Sequence, residues 1–139
     1  METHYKEIET TSFNSDIHNI SIAESFIDTV CNDLLIDEDN YGNILIAVTE
    51  AVNNAMQHGN RMDQSKLIQI SAFSNSDELR FVIKDQGIGF DFNSLPDPTA
   101  PENIEKETGR GVFLMRSLAD EVVFEDNGSK VTLIFSLQK

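Results

Sequence analysis

The stretch Ile44–Asn60, ILIAVTEAVNNAMQHGN, decides the fold. Ile44, Val48, Val52 and Ala55 recur every three or four residues, the spacing of a helix that rests one stripe on a core. On the same helix, Asn53, Asn54, Gln57 and His58 all fall within roughly 80° of Glu50. An amphipathic helix ordinarily turns such a face to solvent. Two details point elsewhere. The face carries amides and an acid but no lysine or arginine. Ala47 and Ala51 flank it with small side chains that leave room for another group to approach.

Around this helix the chain reads as one domain, residues 1–139, long enough to bury a core without staples. A hydrophobic content of 40% argues for a globular protein rather than a disordered one. No apolar run is long enough to cross a bilayer, and no charged-then-apolar leader is present, so a cytoplasmic protein is expected. Cys31 is the single cysteine; it cannot form an internal disulfide, and one thiol makes no metal cluster. With 24 acidic residues against 10 basic ones, the net charge is −14. Such a surface repels nucleic-acid phosphates and anionic lipid, so neither DNA nor a membrane is an expected partner. A phosphorylated small ligand is still admissible, because backbone amides, local positive groups and a divalent cation can hold one inside an acidic protein.

The remaining elements follow from periodicity. Tyr5–Thr11 alternates loosely and reads as an edge strand. Ile20, Ala23, Phe26, Ile27, Val30 and Leu34 predict a helix over 17–35. Asp37–Asp39 opens the helix that carries the first-quoted stretch, with Gly59 as its expected left-handed terminator. Leu67–Phe73 and Leu79–Lys84 read as a hairpin around Ser74–Asp77. Asp85–Gly111 then holds all three prolines and four of the seven glycines, and a loop of that length is expected to be functional or mobile. A third helix is predicted over Gly111–Asp120, and a closing hairpin from Val122–Phe124 and Lys130–Leu137 around Asp126–Gly128. The sum is an α+β, two-layer sandwich: a mostly antiparallel, mixed sheet with three helices on one face.

Two further patterns carry chemistry. DQGIGF, Asp85–Phe90, follows a strand, and paired glycines let backbone approach a ligand closely or let a loop hinge. TGRGVFLMRSL, Thr108–Leu118, opens a helix with a second glycine pair, where free amides beside Arg110 suit phosphate oxygens. Each is common alone, and neither matches the Walker lysine motif or the dinucleotide fingerprint. Their order is more specific. Glu-x-x-x-Asn on a helix, Asp-x-Gly-x-Gly after a strand and Gly-x-Gly at a helix resemble the gyrase, chaperone, histidine-kinase and mismatch-repair ATPase superfamily. EAVNNAMQHG, DQGIGFD and GRGVFLMRSLADEV look like the three boxes of its compact members, the anti-sigma-factor serine/threonine kinases, and the likeness covers nearly the whole chain.

That resemblance implies a Bergerat-type ATP-binding fold and a role for each matching residue. Asn54 stands in the magnesium position, binding Mg²⁺ that bridges the nucleotide phosphates. Glu50 would polarise the attacking hydroxyl of a protein serine or threonine. Asp85 would accept a hydrogen bond from the adenine amino group. Gly87 and Gly89 would let the chain pass beneath the base and begin a lid, and Gly109, Arg110 and Gly111 would close it over the phosphates. Ser129 stands where relatives carry a threonine that meets adenine through water. His58 either orders the helix end or meets the nucleotide. The implied cofactors are ATP and Mg²⁺. The implied partners are an anti-sigma-antagonist-type protein substrate, a sigma factor or similar regulator that is restrained, and a second copy of the chain in a homodimer. Two other classes compete: a stand-alone ATP-binding, ATPase or histidine-kinase-like catalytic module, and a binding-only regulator whose nucleotide site is vestigial. His4 and His18 lie in the wrong kind of segment for a phosphoacceptor hairpin, which weighs against the first. The presence of both Glu50 and Asn54 weighs against the second.

Overall fold

Alternation builds the sheet. Leu79, Phe81 and Ile83 in strand β3 (Glu78–Lys84) are buried on one face, as a half-covered strand requires. Ile70 and Ala72 of β2 (Leu67–Ser74) pair with Ile83 and Phe81. Val131, Leu133 and Phe135 of β5 (Lys130–Ser136) pair with Ile83, Phe81 and Leu79 from the other side. With β1 (Lys6–Asn14) and β4 (Glu121–Glu125) on the two edges, the order is β1-β2-β3-β5-β4. Every one of these neighbouring pairs is antiparallel, stricter than the mixed sheet expected. This computed structural model describes residues 5–87 and 107–137, with backbone only at 107–110 and 127.

Three helices cover the apolar face: α1 (Ile20–Asp33), α2 (Glu38–Asn54) and α3 (Glu107–Leu118). Phe26 of α1 meets the edge of Phe81 with ring centroids 6.3 Å apart, and Phe81 meets Phe135 in the same way at 6.2 Å. Such pairs add about 0.5–1.5 kcal/mol beyond their area burial. The predicted first helix is split, because a 3₁₀ turn, Ile17–Asn19, precedes α1. Leu35, in the left-handed region at φ 55°, follows the helix end. The start of α2 is as predicted: the Asp37 side chain accepts from Asn40 N–H, and Glu38 and Asp39 occupy the first turn. Cys31 is buried, and burial, with the Asp28 charge adding to it, pushes its thiol up to about 11. It is a packing residue at neutral pH.

Helix α3 begins at Glu107, four residues before the predicted Gly111. Glycines weaken a helix by only about 1 kcal/mol each, and packing against α2 overrides that preference. Between β4 and β5 a 3₁₀ turn, Asp126–Gly128, reverses the chain, with Asp126 at φ 53° and Gly128 at φ 95°.

Candidate active site

The polar face read from the first-quoted stretch lines one cavity. Glu50, Asn53, Asn54, Gln57 and His58 line a space of about 270 Å³ that Gly111 and Leu114 of α3 close from the other side. The opposite stripe, Ile44, Val48, Val52 and Ala55, is buried in the core. The polar face is therefore a wall between two helices. Helix α3 comes close to it: a Cβ on Gly111 would stand 3.2 Å from Glu50 Oε2 and 3.9 Å from Asn54 Oδ1. Gly111 thus sits inside a helix and keeps space open, rather than opening the helix as the sequence predicts. Gly109 lies in the first turn, where amides lack intrahelical partners.

A second, narrow slot continues from the first. Asn54 lines both, joined in the slot by Ala51, Ala55, Ile83, Asp85, Met115, Phe124, Gly128 and Val131. Ala51, expected to leave room for an approaching group, lines this slot; Ala47 lines neither space, and both are buried in the core. The slot has only about 10 Å³ of free space, so a flat ring enters it only as the surrounding side chains part. Met115, unbranched and adaptable, suits that movement.

Asp85 sits at the slot in a tightly set position. Its N–H donates to Ser129 O at 2.9 Å, and its Oδ1 accepts from Gly87 N–H at 2.8 Å. A Cβ on Gly59 would lie 2.2 Å from Asp85 Oδ2, and one on Gly87 would lie 1.8 Å from Gly59 O. The two glycines are therefore demanded by close approach. Burial raises the Asp85 carboxyl above its ordinary value of 3.8, against the opposing pull of the Gly87 N–H and the Lys66 charge. Partial burial of an acid beside an apolar slot is the setting in which an acceptor is worth most.

Gly59 does not end α2 in the left-handed turn expected of it. The helix passes into a π turn, Ala55–Gly59, in which Asn60 N–H donates to Ala55 O at 2.8 Å. The left-handed residues are Arg61 and Met62, at φ 54° and 57°. Ser129 serves the site through its carbonyl, which holds Asp85; its hydroxyl donates to Asp126 O at 2.8 Å, and Gly128 is the residue of that turn that lines the slot. His58 lines the wide cavity. Gly89, the Arg110 side chain and the expected lid before Glu107 lie outside the described residues.

The donor set fits a magnesium–phosphate group. Asn53 Oδ1 and Asn54 Nδ2 are buried with no hydrogen-bond partner among the described residues, and orphaned buried amides are rare without a ligand to satisfy them. No group of three or more His, Cys, Asp or Glu side chains placed to hold a metal occurs among the described residues. A cation at this wall would share an amide oxygen with ligand oxygens, the pattern Mg²⁺ favours.

Comparison with known proteins bears on the same residues. The histidine kinase-like ATPase domain family matches residues 13–135, a span that includes Glu50, Asn54, Asp85 and Gly111. The serine-protein kinase RsbW of Staphylococcus epidermidis is 35% identical over 102 residues, 68% of this chain and 64% of the relative. The chain thus spans about 64% of that relative's length. The serine-protein kinase RsbW of Bacillus cereus is 29% identical over 117 residues, 79% of this chain and 72% of the relative. A crystal structure of the RsbU and RsbW domains of Rv1364c from Mycobacterium tuberculosis superposes with a TM-score of 0.58 at 13% identity. It covers 93% of this chain and 32% of that one, a likeness of fold.

Proposed function

The chain belongs to the histidine kinase-like ATPase domain family, and we propose that it is an ATP-dependent protein serine/threonine kinase of a partner-switching pathway. Its substrate would be a hydroxyl on an anti-sigma-antagonist-type protein, with a sigma factor or similar regulator restrained by the same chain, in the cytoplasm. The names of the relatives support the activity, and the net charge of −14 favours a protein partner over nucleic acid. No helix among the described residues is long and apolar enough to cross a membrane.

One observation carries the proposal: Glu50 and Asn54, one helical turn apart, line one cavity, and Asn54 also lines the adjoining slot that holds the half-buried carboxylate of Asp85. Phosphoryl transfer asks for positioning, charge neutralisation and an acceptor near the nucleophile. Asp85 accepts from the exocyclic amino group of adenine and sets the depth of the base. Gly111 leaves the cavity wall without a side chain where the phosphates pass. Asn54 offers its amide oxygen to Mg²⁺, which neutralises phosphate charge when bound. Glu50, on the same wall, orients the incoming hydroxyl and takes its proton. The free amides in the first turn of α3, next to Gly111 on the cavity wall, would suit phosphate oxygens.

Labelled ATP mixed with the chain and with candidate acceptor proteins tests the proposal. Label on a serine or threonine of one acceptor is expected. ATP binding without transfer to any acceptor would replace the kinase with the binding-only regulator.

A further inference from the structure

The Asn60 side chain makes three hydrogen bonds, and no part of the proposed mechanism uses it. It is 1% exposed. Its Oδ1 accepts from Gln86 N–H at 2.7 Å. Its Nδ2 donates to Ser15 Oγ at 2.6 Å and to Leu67 O at 3.0 Å. The amide therefore ties the end of β1, the start of β2 and the loop after β3 to the end of α2. Gln86 closes the loop a second time, its Oε1 accepting from Leu67 N–H at 2.8 Å.

We propose that Asn60 is a positioning residue that aims the Asp85 carboxylate and so sets the preference of the slot for a base carrying an amino donor. The inference rests on the reading of Asp85 as the base acceptor. Asp85 is clamped on both sides along the backbone: its own N–H is held by Ser129 O, and the next N–H, that of Gln86, by Asn60. The residue before Asn60 is Gly59, against which the Asp85 carboxylate packs. One short segment thus fixes the peptide and shapes the space for the side chain. The π turn makes this possible. Its extra residue rotates Asn60 by roughly 100° from the direction an α-helix would give it, and such turns recur at functional sites. A buried amide with all its partners satisfied is rigid, because breaking any one bond leaves an uncompensated polar group.

The test measures affinity for ATP and for inosine triphosphate, whose base carries an oxygen where adenine has its amino group, with Mg²⁺ present. Thermal unfolding is followed in parallel. The wild type is expected to prefer ATP. Asn60→Ala is expected to narrow that preference about tenfold, mainly by weakening ATP. Placed on Asp85→Asn, it should narrow the preference no further. A residue that merely supports the fold would lower stability or weaken both nucleotides together, and either outcome at unchanged preference overturns the proposal. Should Asn60→Ala fail to fold, Ser15→Ala removes one of the two Nδ2 partners and is expected to narrow the preference about two- to threefold. An unchanged preference in that variant overturns the proposal equally. A wild type that does not distinguish the two nucleotides overturns the reading of Asp85 itself, and this inference with it.

Discussion

The two halves of the site are built in opposite ways. The wide cavity between α2 and α3 is polar, and two of its amide atoms, Asn53 Oδ1 and Asn54 Nδ2, lack partners among the described residues. The narrow slot is mostly apolar, and its one carboxylate is held by a hydrogen bond from Gly87 N–H and by two glycines that admit no side chain. A reaction that develops charge needs donors and acceptors left available for it. A base that must be selected needs an acceptor that cannot move. On the proposed reading the first half serves chemistry and the second recognition, and substitutions in each should fail in different ways.

The largest expected effect lies on the cavity side. Glu50→Gln keeps size and spares Asn54, so ATP binding should largely survive. Transfer to the acceptor protein should fall about 10²–10⁴-fold if Glu50 acts as a general base. Asn54→Ala should instead weaken Mg²⁺-dependent nucleotide binding and transfer together. Single-turnover phosphorylation beside nucleotide titration separates the two, and full transfer by Glu50→Gln would remove Glu50 from the chemistry.

On the slot side, Asp85→Asn should reduce ATP affinity without any special effect on the transfer step. An amide can turn its donor toward the amino group of adenine and lose the pair. A hydrogen bond to a charged group is worth roughly 1.5–3 kcal/mol, or about ten- to a hundredfold in affinity. Calorimetry with unchanged affinity would mean that recognition is made elsewhere.

How much of this was legible in the sequence follows the same division. The cavity wall is written within one helix: Glu50, Asn54 and His58 are a turn apart, so period alone puts them on one face. Asp85 was legible because an acid followed by two spaced glycines after a strand is a compact local pattern. Asn60 was not. Its partners Ser15, Leu67 and Gln86 are remote in sequence, and after Gly59 it looks like an ordinary residue past a helix end. Gly59 itself was recognised as special for the wrong reason, since its lack of a side chain answers Asp85 across the fold and not a left-handed turn. The start of α3 was hidden by its glycines, which local propensity counts against a helix and packing on α2 permits.

Two glycine substitutions sharpen the contrast at smaller scale. Gly59→Ala would drive a Cβ to 2.2 Å from Asp85 Oδ2, in a carboxylate whose Oδ1 is held by Gly87 N–H. Overpacking of this kind costs about 1–3 kcal/mol, a drop in melting temperature of several degrees. Gly111→Ala meets the far end of Glu50 at 3.2 Å, a flexible side chain that can give. It also gains about 1 kcal/mol of helix propensity. The first should melt earlier than wild type, and the second should melt at or above it. Equal losses at both positions would mean that the slot is no more rigid than the cavity.

The smallest effect is the part of the pH dependence of stability that Asp85 contributes. Burial raises its carboxyl above 3.8 in the folded chain, so the folded state binds the proton more tightly than the unfolded state. Between 3.8 and that raised value the folded chain holds more protons, and linkage makes stability fall as pH rises through the window. Above it, the half-buried charge is a constant burden, one that the proposed recognition of a base would require. Asp85→Asn has no proton to lose there, and its amide oxygen can still accept from Gly87 N–H. Relative to wild type it should therefore gain stability as pH rises past 3.8 and keep that gain at neutral pH, in the same variant that binds ATP worse. Urea midpoints of both proteins across this range give the difference directly. A difference that does not change with pH would show that Asp85 is as easily charged in the slot as in the unfolded chain, and that the slot is wetter than its apolar lining implies.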